Sequence, residues 1–106
     1  MPPRPIKILK EYLPQVEIIR LHNEDHLTHV VTTRGTFKVA VSMVSIVARL
    51  DPGLFTACSP SDVVNWDHIT EVYAPRRRRM DLLTSDGAII HVSVSNQRKF
   101  RHLVTR

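Results

Sequence analysis

Apolar and polar positions alternate along most of this chain, and helical spacing replaces the alternation in two short stretches. Residues 1–5 hold three prolines and are expected to form a loose arm. Ile6 to Leu13 fits both templates, since Ile6 and Ile8 alternate whereas Leu9 and Leu13 sit four apart. Pro14 ends that element. Val16, Ile18 and Ile19 open an apolar strand running to about His22, and Asn23-Glu24-Asp25 signals a turn. Leu27 to Thr33 is β-branched and half alternating, as a strand should be. Arg34-Gly35-Thr36 is the next turn, with Gly35 expected at positive φ. Phe37, Val39 and Val41 alternate again, so the two runs predict a β-hairpin.

Ser42 is placed to cap a short helix, on whose inner face Met43, Ile46, Val47 and Leu50 fall. Pro52 and Gly53 stop it, and Leu54 and Phe55 should anchor the following loop in the core. A polar turn at Cys58-Ser59-Pro60-Ser61 leads into a short buried strand through Val63 and Val64, ending at Asn65. Trp66 reads as a core anchor in the hinge between strands. Ile69, Val72 and Tyr73 belong to the next strand, Arg76 to Arg79 to a hairpin turn, and Met80 to Thr84 to the return. Asp86-Gly87 turns the chain again before Ala88 to Val94. Ser95 then caps a terminal helix with Phe100, Leu103 and Val104 on its apolar side and Arg98, Lys99, Arg101 and His102 on its polar side. About seven or eight short strands and two short helices make a mainly-β domain of sandwich type.

A length of 106 residues bounds the chain to one domain with a modest core, and a 42% hydrophobic fraction predicts that it folds. A net charge of +5 and a pI near 10.0 point to an anionic partner, with nucleic acid first. A single cysteine, Cys58, forbids an internal disulfide and fits a reducing cytosol. No apolar run approaches the roughly 20 residues of a membrane span. The opening MPPRPIKILK lacks the apolar core and cleavage site of a signal peptide, so a cytoplasmic location is expected.

Catalysis is not expected. There is no glycine-rich phosphate loop, nothing orders Cys58 against a histidine, and although Asp62, Asp67 and Glu71 could cluster, acids on adjoining strand ends are common. No cofactor or small-molecule substrate is implied. His22, His26 and His29 straddle a turn without a cysteine pair, which is not a metal-site spacing. His68 and His91 read as partly buried structural residues, and Cys58 as a small apolar core residue.

The order of signals from Ser42 to Ile69 is helix, Phe55, small polar turn, Val63-Val64-Asn65, then His68-Ile69. It resembles the LytTR family of bacterial response-regulator DNA-binding domains, whose pattern runs S-L-x-x-L-x-x-x-L-x-x-x-F-x-R-x-H-x-S-x-x-V-N-x-x-x-I. The match covers about Val16 to Leu103. The resemblance implies an elongated sandwich of small antiparallel sheets with one or two short helices. Residues 1–15 would be an N-terminal arm and short first element, and residues 16–106 the LytTR-like DNA-binding domain.

The resemblance also implies that loops, rather than a recognition helix, enter successive major grooves and bend the DNA. In the first loop, Asn23 to His26, His26 stands where the family often has an aromatic residue or histidine. In the second, Ala57, Ser59 and Pro60 replace the family's Arg, His or Asn, and Ser61 matches its serine. In the third, Ser93-Val94-Ser95-Asn96 puts Ser95 where the family has arginine, with Arg98 and Lys99 matching basic positions beyond. An arginine reads guanine through paired bonds worth roughly 1–3 kcal/mol of discrimination, and a serine cannot. Pro60 offers no N–H to a phosphate.

Direct readout is therefore expected to be weaker or relocated, and the arginine run is the candidate. If Ser59 to Ser61 lies at the DNA end, counting strand reversals returns Arg76, Arg77, Arg78 and Arg79 to that end, together with Ser95, Asn96, Arg98 and Lys99. The expected partner is double-stranded DNA, with two copies on a repeated site. The alternative is a protein-interaction or dimerisation module on the same fold with eroded DNA contacts. An RNA-binding β-domain is weakened by the scarcity of aromatics for stacking bases.

Overall fold

The computed structural model describes residues 3–8 and 10–105. Met1 and Pro2 of the expected arm, and Leu9, whose spacing suggested a helix, lie outside the described residues. The ambiguous start resolves into β1 (Ile6–Ile8) and β2 (Glu11–Leu13), an antiparallel pair that buries Ile6, Ile8 and Leu13. Val16 does not open the next strand. It is exposed in a 3₁₀ turn over Gln15–Glu17, because the buried Gln15 side chain donates to the Arg4 carbonyl (2.7 Å) and accepts from the Asp51 N–H (2.8 Å).

A five-stranded antiparallel sheet follows, built from β3 (Ile18–Glu24), β4 (Leu27–Thr32), β5 (Gly35–Val39), β6 (Phe55–Ser59) and β7 (Asp62–Asn65) in the order β5-β4-β3-β7-β6. The β3–β4 turn is Asp25-His26 rather than 23–25. Glu24 pairs with Leu27, and both turn residues have positive φ (52° and 63°), whose twist matches paired strands. Gly35 has the expected positive φ, 119°. Phe55 begins a strand instead of anchoring a loop. Helix α1 (Met43–Val47) starts at Ser42, whose hydroxyl accepts from the Ser45 N–H. Ile46 and Leu50 are buried below it, but Val47 turns toward solvent.

The second sheet orders β10 (Ile89–His91), β9 (Arg79–Thr84) and β8 (Ile69–Arg76) antiparallel. The terminal helix is a 3₁₀ segment over Val94–Leu103, and its cap position is Ser93, not Ser95. The chain is pinned at Ser93, where the N–H donates to the Cys58 carbonyl at 2.9 Å. With three residues per turn, Gln97 and Phe100 face inward, while Leu103 is 39% exposed at the end. Val104 then bridges Val72 in parallel, and the Thr105 N–H donates to the Val72 carbonyl at 2.8 Å.

Two cores form on opposite faces of the five-stranded sheet. β1, β2 and α1 enclose one with Leu21, Val30, Val39 and Val63. The second sheet and terminal segment enclose the other around Val64, Met80, Leu82 and Phe100. Trp66 packs on that second core, its ring 5.0 Å from that of Phe100. Asn65, fully buried at the end of β7, donates to the Ile18 carbonyl (2.9 Å) and accepts from the Asp67 N–H (2.8 Å). Arg20 of β3 reaches Asp86 in the β9–β10 turn at 3.1 Å, joining the two sheets. Burial alone would raise the Asp86 pKa, but the Thr84 hydroxyl and the Arg20 guanidinium together hold it below the usual carboxylate range.

Replacing Asn65 with Ala strands a buried carbonyl and an N–H, and should lower unfolding free energy by about 2–3 kcal/mol in a urea titration. Asp86→Asn should cost on the order of 1 kcal/mol at neutral pH. Because the folded carboxyl titrates below its unfolded value of ~3.9, its stabilisation is present above that pH and is lost as pH falls through the folded value. The wild-type and variant melting curves should therefore converge in acid, and a gap undiminished at about pH 2 would contradict the assignment.

Candidate nucleic-acid interface

Antiparallel pairing brings several predicted residues to one end of the molecule. His22 pairs with Asp62, so the Asp25-His26 turn and the Ser59-to-Ser61 turn lie side by side, joined by the Asn23 N–H donating to the Ser61 carbonyl at 2.9 Å. His26 is exposed and lines an open groove of about 340 Å³ with Asn23, Ser42 and Pro60. Ser59 and Ser61 both donate to Asp62 Oδ2, at 3.2 and 3.3 Å, while Asp62 Oδ1 lies 2.8 Å from His22 Nδ1. The serine hydroxyl protons are thus spent inside the protein, and the Ser61 backbone is engaged as well, its N–H donating to Ser59 Oγ at 3.3 Å and its carbonyl accepting from Asn23. Asp62, which the sequence suggested only as part of an acidic group with Asp67 and Glu71, instead organises this turn; no metal-holding group occurs among the described residues.

The terminal segment continues the same surface. Ser93 lies against Cys58 in β6, and Lys99 Nζ donates to the Ala57 carbonyl (2.6 Å) and the Thr56 hydroxyl (2.9 Å). Burial pulls the Lys99 ammonium below the usual lysine range. Asn96 donates to the Ser93 hydroxyl at 2.7 Å, and Ser95 is exposed one residue before it. Gln97, buried and absent from the sequence expectations, donates to the Arg78 carbonyl at 3.1 Å. This bond fastens the arginine turn to the terminal segment. Nothing in the sequence marks Gln97 except its place three residues before Phe100.

Arg76 pairs with Arg79 across the turn, and the intervening Arg78 has φ of 61°. All four arginines are exposed. Arg79 is tied to Asp81 at 3.1 Å, whereas Arg76, Arg77, Arg78 and Arg98 make no ion pair among the described residues. The structure therefore joins the arginine turn, the terminal segment, the 59–61 turn and His26 in one contiguous series, with Lys99 turned inward. His91 is not a buried structural residue. It sits on the outer face of the second sheet opposite Asp81, and its side chain is 56% exposed. His68 is half-buried, held by Ser85 and the Val16 carbonyl.

The family model described as LytTr DNA-binding domain matches residues 10–105. Among solved structures, the chain is similar to the LytTr DNA-binding domain of a Bacillus cereus protein described as a methyl-accepting/DNA response regulator. That likeness has 25% sequence identity and a TM-score of 0.77, and covers 93% of each chain. No curated protein matches the chain.

Cys58 underlies this surface without reaching it. Burial, reinforced by the Asp62 charge and opposed by Lys99, pushes its thiol up to about 12. The thiolate is the nucleophile, so folded protein should react with iodoacetamide far more slowly than protein in urea. Equal rates in the two states would show the thiol to be accessible.

Proposed function

The chain belongs to the LytTr DNA-binding domain family, and on that premise we propose that it is a cytoplasmic transcription-regulator domain of response-regulator type that grips duplex DNA through loops at one end of its sheets. The observation that carries this reading is the Gln97–Arg78 bond. It holds the turn that carries Arg76, Arg77 and Arg78 against the segment that carries Ser95, Asn96 and Arg98. Phosphate oxygens are the natural partners of such cations, and contacts of this kind fix affinity and orientation more than sequence.

Backbone conformation adds support. A left-handed residue with a side chain costs roughly 1–2 kcal/mol, which glycine would avoid, and retaining Arg78 there favours a use for its charge. Base reading would fall to His26, Ser95 and Asn96, with Ser59 and Ser61 shaping the second loop. Two copies on a repeated site would supply the specificity that the missing arginines withdraw. A second reading, a protein-interaction module, is favoured by the internal engagement of Lys99, Ser59 and Ser61.

Titration with mixed duplex DNA at two salt concentrations separates them. Salt-sensitive binding supports the regulator, whereas no binding at low salt with a concentration-dependent dimer supports the interaction module. Within the first reading, Arg77→Ala with Arg78→Ala should weaken binding to all sequences alike and flatten the salt slope by about 1 per lost contact. An unchanged slope would remove the arginine turn from the interface.

A further inference from the structure

The edge strand β5 pairs with β4 on one side and carries no backbone ladder on the other among the described residues. Thr32 and Gly35 close the hairpin, so successive pairs alternate from there. Gly35, Phe37 and Val39 exchange bonds with β4, and the N–H and C=O groups of Thr36 and Lys38 point away from it. Thr36, Lys38 and Ala40 are all exposed. Beside this free edge run two open cavities of about 540 and 590 Å³ that share Ile8 and together follow the chain from Phe37 in β5 to Val41 just beyond it. Their apolar walls are Ile8, Phe37, Val39, Val41 and Ile46. Their charged lining is Lys7, Lys10 and Arg49 against the single acid Glu11.

We propose that this edge docks an extended acidic peptide segment of a partner protein as a sixth strand. Strand addition satisfies the outward backbone groups and gives affinity, while alternate side chains give specificity. Side chains on the groove side would be apolar and lie along Ile8, Val39 and Val41. Those between them would emerge on the opposite face beside Lys38, where a carboxylate is the matched neighbour. Lys7 and Arg49 lie on the groove side and favour an acidic segment as a whole, through the positive potential they add there. A second copy of this chain is the poorer occupant, because edge-to-edge pairing would bring Lys38, Lys7 and Arg49 toward their own counterparts. The lysine that discourages self-pairing is the one that selects an acid.

The probe is a fluorescein-labelled heptapeptide alternating Glu and Val, with a Lys/Val peptide as control, titrated against the full chain by anisotropy. The Glu/Val peptide should bind, and the Lys/Val peptide should not. In amide NMR the bound state should shift Thr36, Lys38 and Ala40 and slow their exchange. Lys38→Pro removes an outward N–H without a bond to β4, and should lower affinity by about tenfold or more. Lys38→Glu, which keeps the backbone donor, should weaken Glu/Val binding several-fold and narrow its margin over the Lys/Val peptide, with an unchanged melting curve for either variant. Absence of binding, equal binding of both peptides, or binding indifferent to both variants overturns the proposal. So does a concentration-dependent dimer that Lys38→Pro abolishes while the peptide fails to bind. DNA affinity is read in parallel and should not move, which separates this surface from the loop end.

Discussion

Strand β7 is buried on both faces, and the rest of the molecule depends on that constraint. Its neighbours Val63 and Val64 point in opposite directions because successive strand side chains must. Val63 enters the core beneath β1, β2 and α1, and Val64 enters the core shared with the second sheet. Neither layer could be moved without uncovering one of them. Asn65 completes the arrangement by making its two polar bonds in a fully buried site. The strand is four residues long, yet it sets the relative placement of both cores.

From that placement the loop geometry follows. Antiparallel strands return their turns to alternate ends, so the 25–26 and 59–61 turns share one end, and β8 and β9 deliver the arginine turn to the neighbourhood of Ser93. Close approach then depends on single polar bonds. Asp62 gathers two serines and His22, Gln97 holds the Arg78 carbonyl, and Lys99 is drawn onto β6. The cationic character of the surface consequently rests on arginines, which stay charged, rather than on the partly desolvated lysine.

Much of this was legible in the residues. Alternation located the strands, Ser42 located the helix start, and counting reversals placed the arginine turn near the terminal segment. The misreadings share a physical origin in contacts between residues distant along the chain. Val16 left its strand because Gln15 found Arg4 and Asp51. Ser95 yielded the cap position to Ser93 because Cys58 holds the chain there. Gln97 is polar, so apolar patterning points to Phe100, Leu103 and Val104 and passes over it, although the 3₁₀ backbone buries it on the face of Phe100. The polar turn is shorter than the expected 58–61, because Cys58 and Ser59 still belong to β6 and only Pro60-Ser61 turn; no pattern reveals that the serine protons go to Asp62.

The parallel bridge from Val104 to Val72, with Thr105 bonded to the Val72 carbonyl, bears on solubility as well as architecture. β8 is the outermost strand of its sheet, and an uncovered outermost strand is a template for fibril-like stacking of identical molecules. Val104 and Thr105 occupy it at mid-length, which blocks such growth there. Removing them would expose Val72 and invite aggregation even where the cores stay intact.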